Sequence, residues 1–163
     1  MRYPIVLWDS GGTIFHFDEE FKDYGGLPSP EEVRAQRPQR AGHVLEMFGH
    51  RAPADLAAIL DRLGEKLREQ HGLFYSLEIL ADGLYMELGI GPRREESLIL
   101  ADTLAGPRYH TWLWHGVAEA LEAMHAAGVR MGVVADTDWT GRQMRRALAG
   151  VNLERFFGPV ICS

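Results

Sequence analysis

Asp9 closes the apolar run Ile5-Val6-Leu7-Trp8, and the chain then breaks at once into Ser10-Gly11-Gly12-Thr13-Ile14. Four consecutive apolar residues read as a strand buried on both faces, as in a parallel sheet. Paired glycines allow a positive φ or the close approach of a ligand to the backbone. A carboxylate at the carboxyl end of such a strand lies where open α/β sheets bind their ligands. The plainer reading is an ordinary turn with a solvated Asp. Far along the chain a second strand-like stretch, Val129 to Ala135, ends in Asp136-Thr137, with Asp138 next to them. Asp138 reads better as part of a strand–helix turn, where it caps or favours a helix N-terminus.

Other reactive side chains have plainer readings beside the functional one. His110 and His115 flank Trp112 and Trp114, but their spacing matches no recognised metal set, and a single cysteine does not make a zinc site. Trp112 and Trp114 are candidates for lining a cleft, with packing at a hinge the better reading. His16 and Phe17 follow the Asp9 loop, with a structural role the plainer reading and substrate contact the sharper, less favoured one. Arg142, Arg145 and Arg146 read as a solvated helix face, with Arg142 near an anion site as the sharper alternative. Cys162, the sole cysteine, reads as a buried strand residue rather than a nucleophile, since no activating partner is evident.

These residues need elements to position them. At 163 residues the chain is long enough for one cored domain, or a small core with an inserted subdomain. A formal net charge of −6 argues against a nucleic-acid footprint. One cysteine permits no internal disulfide and fits a reducing compartment. No apolar run approaches the roughly 20 residues that span a bilayer, and Asp9 interrupts the only apolar run near the N-terminus. The expectation is a soluble cytoplasmic protein with no membrane or nucleic-acid partner.

Between about residues 20 and 108 the pattern predicts helices only. Ser29-Pro30 with Glu32 signals a helix start and Pro38 a stop; Val44, Leu45, Met47 and Phe48 mark a second helix before Gly49. Leu56, Ile59, Leu60, Leu63 and Leu67 recur at spacings of three and four, which makes a helix core stripe, or alternatively a dimer seam. Helices over 73–89 and 93–105 follow, stopped by Gly89-Ile90-Gly91-Pro92 and Gly106-Pro107. From Gly116 the signals become helix to Gly128, strand over 129–135, a Thr140/Gln143 capping box opening another helix, and a strand Pro159-Val160-Ile161-Cys162. Strand, crossover helix and parallel strand imply a right-handed, doubly wound sheet.

The segment Val6 to Ile14 resembles the first motif of the haloacid dehalogenase (HAD) superfamily, an apolar strand followed by Asp-x-Asp-Gly-Thr-Leu/Val. Gly116 to Ser163 resembles the family's stretch from the helix before its second motif to its third core strand. The resemblance implies an α/β Rossmann-like, three-layer core over 1–17 and 108–163, with an all-α cap inserted over 18–107. It implies that Asp9 is a nucleophile forming a covalent aspartyl intermediate. It further implies Mg²⁺ held by Asp9, by the carbonyl of Gly11 and by a carboxylate of a later motif, with Ser10, Gly11, Gly12, Asp136 and Thr137 contacting a phosphate. His115 falls where the family commonly has Pro, which gives it a turn role.

The sequence departs from the family in three places. Gly11 stands where phosphatases of the family carry an Asp for general acid–base work, worth typically about 10²–10⁴-fold. Ala135 stands where a hydroxyl should hold the phosphate, with Thr137 two residues on as a substitute. The family's third and fourth motifs, a Lys or Arg and the acidic metal ligands, would follow the third strand, and the sequence stops at Ser163. That leaves the first strand with an open edge. The expectation is a fragment of a longer polypeptide, or a homodimer or other partner completing the sheet. The leading functional expectation is a Mg²⁺-dependent phosphatase of small phosphorylated metabolites. The alternatives are a non-catalytic HAD-like binding protein, and an enzyme of the family cleaving a carbon–phosphorus or carbon–halogen bond.

Overall fold

A computed structural model of the chain describes residues 5–16, 24–72, 75–91 and 93–163. Phe17, singled out above, lies outside the described residues. The chain divides into two compact units. One gathers Met1–Glu31, Pro107–Asp136 and Thr140–Ser163; the other gathers Glu32–Gly106 together with Thr137–Trp139.

In chain order the elements are β1 (Val6–Trp8), α1 (Pro30–Ala35), α2 (Arg37–Met47), α3 (Leu56–His71), α4 (Leu77–Glu87), α5 (Arg94–Ala105), α6 (Val117–Ala126), β2 (Met131–Ala135), α7 (Gly141–Gly150) and β3 (Phe157–Cys162). The protein is therefore mixed α/β, and its described strands form one parallel sheet in the order β1-β2-β3. Val6, Leu7 and Trp8 pair with Met131, Gly132 and Val133; Val134 and Ala135 pair with Ile161 and Cys162. Both steps move the same way across the sheet, so right-handed crossovers place α6 and α7 on the same face. That face is buried through Met131, Val133, Ala135 and Phe157.

The other face corrects the expectation that the first strand is buried on both sides. Leu7 is 55% exposed, and its face continues through Val134 at 41% and Ile161 at 56%. Gly132 belongs to this face, since a Cβ there would meet Pro159 Cγ and Leu7 Cδ2. An unbroken apolar run thus marks a parallel strand here without marking two covered faces.

Local signals place the helices well. Thr140 opens α7 through a reciprocal capping box with Gln143. Gly128, at φ +74°, follows α6 as the left-handed residue after a helix. Pro38 acts differently from the expected stop: α1 already ends at Ala35, and Pro38 sits in the first turn of α2, where its missing N–H leaves no helical acceptor unfilled. In the helical unit Leu56, Ile59, Leu60, Leu63 and Leu67 are all buried, so the stripe is core. Burying each such side chain contributes about 1.5–3 kcal/mol. Leu63 packs closely over Gly83 of α4, where an added Cβ would lie 3.2 Å from its methyls. Among the described residues no helix is long and apolar enough to cross a membrane.

Candidate active site at the carboxyl ends of the strands

The chain leaves β1 at Asp9, whose side chain is exposed. The Ser10 amide donates to Asp9 Oδ1 at 2.8 Å; Oδ2 has no hydrogen bond among the described residues. The loop beyond then closes on itself. The Ser10 carbonyl accepts from the amides of Ile14 and Phe15 at 3.0 and 2.9 Å, and the Gly12 amide donates to the Phe15 carbonyl at 2.8 Å. Gly12 makes the turn at φ +74°, a conformation that costs other residues a clash with their own Cβ. Ile14 and Phe15 are buried and anchor the far side of the loop.

A second segment holds this loop from outside. Phe15 bridges Leu113 in antiparallel fashion, the His16 amide donates to the Trp112 carbonyl at 2.8 Å, and the Trp114 amide donates to the Ile14 carbonyl at 3.2 Å. The Trp114 indole N–H adds a bond to the Gly12 carbonyl at 3.0 Å. Trp112 is fully buried and donates to the Pro28 carbonyl at 2.9 Å. Both tryptophans therefore brace the motif. His16 is buried as well, with Nε2 2.9 Å from the Thr111 carbonyl. Since a carbonyl only accepts, that nitrogen carries the proton. Its ring stacks on Tyr24 with centroids 5.8 Å apart and meets Trp114 edge-on at 5.4 Å. Burial removes His16 from the candidate substrate contacts.

β2 runs beside β1 with Trp8 opposite Val133, so the two strands open side by side, about 4.8 Å apart. Asp136 follows the buried Ala135, is exposed, and accepts from Ser163 Oγ at 3.5 Å. Asp9, Ser10, Gly11, Gly12 and Asp136 thus share one unit and one edge of its sheet. Thr137 groups instead with the helical unit, where its hydroxyl donates to Asp138 Oδ1 at 3.4 Å. Although the N-cap of α7 is Thr140, Asp138 lies in the strand–helix turn between β2 and α7 as expected. Its carboxylate pairs with Arg37 at 3.1 Å, and its carbonyl accepts from Leu77 at 2.8 Å.

The donors available to Mg²⁺ are the Asp9 carboxylate and the Gly11 carbonyl. Hard oxygens fit that ion in kind, but they fill two of its roughly six positions. No group of three His, Cys, Asp or Glu side chains suited to a metal occurs among the described residues. Burial pushes the Cys162 thiol up, away from the thiolate form a nucleophile needs. Arg145 of α7 is committed to Glu154 at 2.8 Å and to the Gly158 carbonyl.

Neither a family model nor a curated protein matches the chain. Solved structures do. A predicted phosphoglycolate phosphatase of Haemophilus somnus is similar at 10% identity and a TM-score of 0.42, covering 98% of this chain and 62% of that one. A Bacillus subtilis protein named as a HAD-hydrolase and bound to magnesium is similar at 16% identity and 0.45, covering 100% and 64%. The L-2-haloacid dehalogenase of Xanthobacter autotrophicus is similar at 14% identity and 0.41, covering 99% and 57%. The chain spans less than two thirds of the length of these three structures.

Proposed function

We propose that this chain carries the nucleophile of a HAD-type hydrolase, a phosphatase of small phosphorylated metabolites working in the cytoplasm. The observation that supports this reading is the state of Asp9. Its carboxylate is exposed at the carboxyl end of a parallel strand, with Oδ1 taken by the Ser10 amide. Oδ2 is left to attack.

In this reading Oδ2 attacks the phosphorus of a phosphomonoester, and the bond to the leaving oxygen breaks as the new O–P bond forms. The leaving oxygen takes its proton from solvent, since Gly11 has no side chain to give one. Water then attacks the aspartyl phosphate, releasing phosphate and restoring the carboxylate. The Ser10 and Gly12 amides bond within the motif, so their part is to hold the loop that presents Asp9. Mg²⁺, where bound by Asp9 and the Gly11 carbonyl, would neutralise charge on the transferring group. The helical unit corresponds to the cap insert of that family, and a partner strand would complete the sheet beside β1.

Phosphate release from a broad panel of phosphomonoesters, with and without Mg²⁺, tests the reading. Turnover by wild type and none by Asp9→Asn is the expected result; equal turnover by the two would sink it. Gly11 and Ala135 favour a second reading, a non-catalytic binding protein of the same fold, for which no substrate of any class is turned over. Gly11 also suits a halide leaving group, which needs no proton, so product analysis should include halide release and carbon–phosphorus cleavage.

A further inference from the structure

We infer that the helical unit carries its own binding site for a small amphipathic anion. A half-open cleft of about 430 Å³ lies on the surface of this unit, with Arg34, Asp61 and Arg68 exposed at its rim, at the small end of the roughly 300–1,000 Å³ typical of ligand pockets. Its walls carry three guanidinium groups: Arg34 of α1, Arg37 of α2 and Arg68 of α3. One lining carboxylate, Asp61, opposes them. With Asp138 paired to Arg37 as a second carboxylate, three cations face two anions, so the site keeps an excess positive charge in a chain whose net charge is −6, and such a pocket draws anions.

The arginines differ in their commitments. Arg37 is held by Asp138 at 3.1 Å and donates Nε to the Leu104 carbonyl at 3.1 Å. Two fixed bonds orient its guanidinium. Arg34 and Arg68 have no ion pair among the described residues, although both line the cavity. Guanidinium forks match carboxylate and phosphate oxygens bidentately. Leu60, Leu80 and Leu104 add apolar lining, so an anionic group joined to an apolar body would satisfy both kinds of surface.

Tyr75 completes the wall. Its hydroxyl lies 2.9 Å from where a Cβ on Gly64 would stand, so glycine at this point of α3 admits it. Burial, with a smaller contribution from the Asp138 carboxylate, raises the Tyr75 pKa against the lowering effect of Arg68 and Arg37. The hydroxyl therefore stays protonated at neutral pH and can donate to an anion.

Backbone and arginine side-chain NMR titrations of the 163-residue protein with phenyl phosphate, benzoate, inorganic phosphate and phenol test the site. Saturable shifts at Leu60, Gly64, Tyr75 and Leu80 are expected with phenyl phosphate, benzoate or both, and the stronger of the two identifies the headgroup. Inorganic phosphate and phenol, each lacking half of the ligand, should bind more weakly. An Arg34→Gln/Arg68→Gln double variant should weaken binding on the order of tenfold or more, as the loss of charge-assisted hydrogen bonds implies. Ala57→Trp, at an exposed position of α3 beside the cavity, should block it by bulk. No saturable shift at the cavity residues with either anion, or unchanged affinity in either folded variant, would overturn the site. Phenyl phosphate belongs to the class proposed for the Asp9 site, so shifts around Asp9 are scored apart from those at the cavity residues, and benzoate, which is no phosphomonoester, separates the two readings.

Discussion

The indole of Trp114 donates to the carbonyl of Gly12, 102 residues earlier in the chain, at 3.0 Å. This bond ties the loop after Asp9 to the segment preceding α6, alongside the Trp114 amide bond to Ile14. Trp114→Phe keeps an aromatic ring and removes the donor. The bond is exposed, so its loss should cost only about 0.5–1.5 kcal/mol in urea unfolding. The local effect should be larger than the global one: the Gly12 and Phe15 amides should exchange faster with solvent. Unchanged exchange would mean that the backbone bonds alone hold the loop.

Gly12 itself tests how much strain the motif tolerates. At φ +74° a Cβ would meet nothing within 4 Å, so Gly12→Ala isolates the backbone penalty from any clash. The expected cost is about 1–2 kcal/mol. In a chain of this size that lowers Tm by about 2–4 °C for each kcal/mol, measured by calorimetry. A wild-type Tm would show that the loop re-forms with a different turn.

Gly11 is absent from the glycines with positive φ, so an L side chain is permitted there by the backbone. Gly11→Asp would place a second carboxylate two residues after Asp9, where it could protonate a leaving oxygen. If the phosphatase reading holds, turnover of alkyl phosphates should rise by up to about 10²–10⁴-fold. Wild type should meanwhile favour p-nitrophenyl phosphate, whose leaving group needs no proton. An unaltered preference for good leaving groups in the variant would count against a missing general acid as the limiting defect.

What the sequence made legible was local chemistry. Thr140 and Gln143 are three residues apart, and their capping box reads directly from side-chain types. The Leu56–Leu67 stripe needs only the helical period. Asp9 at a strand end needed only the break from apolar residues into Gly-Gly. Long-range partners were not legible. Nothing near Trp114 indicates an acceptor at Gly12, and nothing near Asp138 indicates Arg37, 101 positions away. Burial of β1 was misread for a related reason: residue type shows that a side chain favours an apolar neighbour, while crossover direction decides which face receives one. The surroundings of His16 were equally hidden, since Tyr24, Thr111 and Trp114 pack around it from distant positions.

The alkaline limb of stability should report Tyr85, a residue of α4 buried completely in the helical unit. Burial, and secondarily the charge of Glu96, pushes its pKa up to about 12 from 10.0. Between those values the unfolded chain has released this proton while the folded chain retains it. The unfolded state then binds fewer protons, so stability is full below about pH 10 and falls as pH rises towards 12. A shift of this size amounts to about 2–3 kcal/mol at the end of the window. The hydroxyl has no hydrogen-bond partner among the described residues, so Tyr85→Phe removes a buried unsatisfied group without opening a cavity. At pH 7 the variant should be as stable as wild type or more stable, by up to about 1–3 kcal/mol. Above pH 10 it should lose stability less steeply, keeping the slope due to Tyr75 and Cys162, whose pKa values are also raised by burial. Urea unfolding of both proteins at intervals from pH 7 to 11.5 decides the matter; parallel curves would mean that Tyr85 ionises in the folded protein as freely as in the unfolded one.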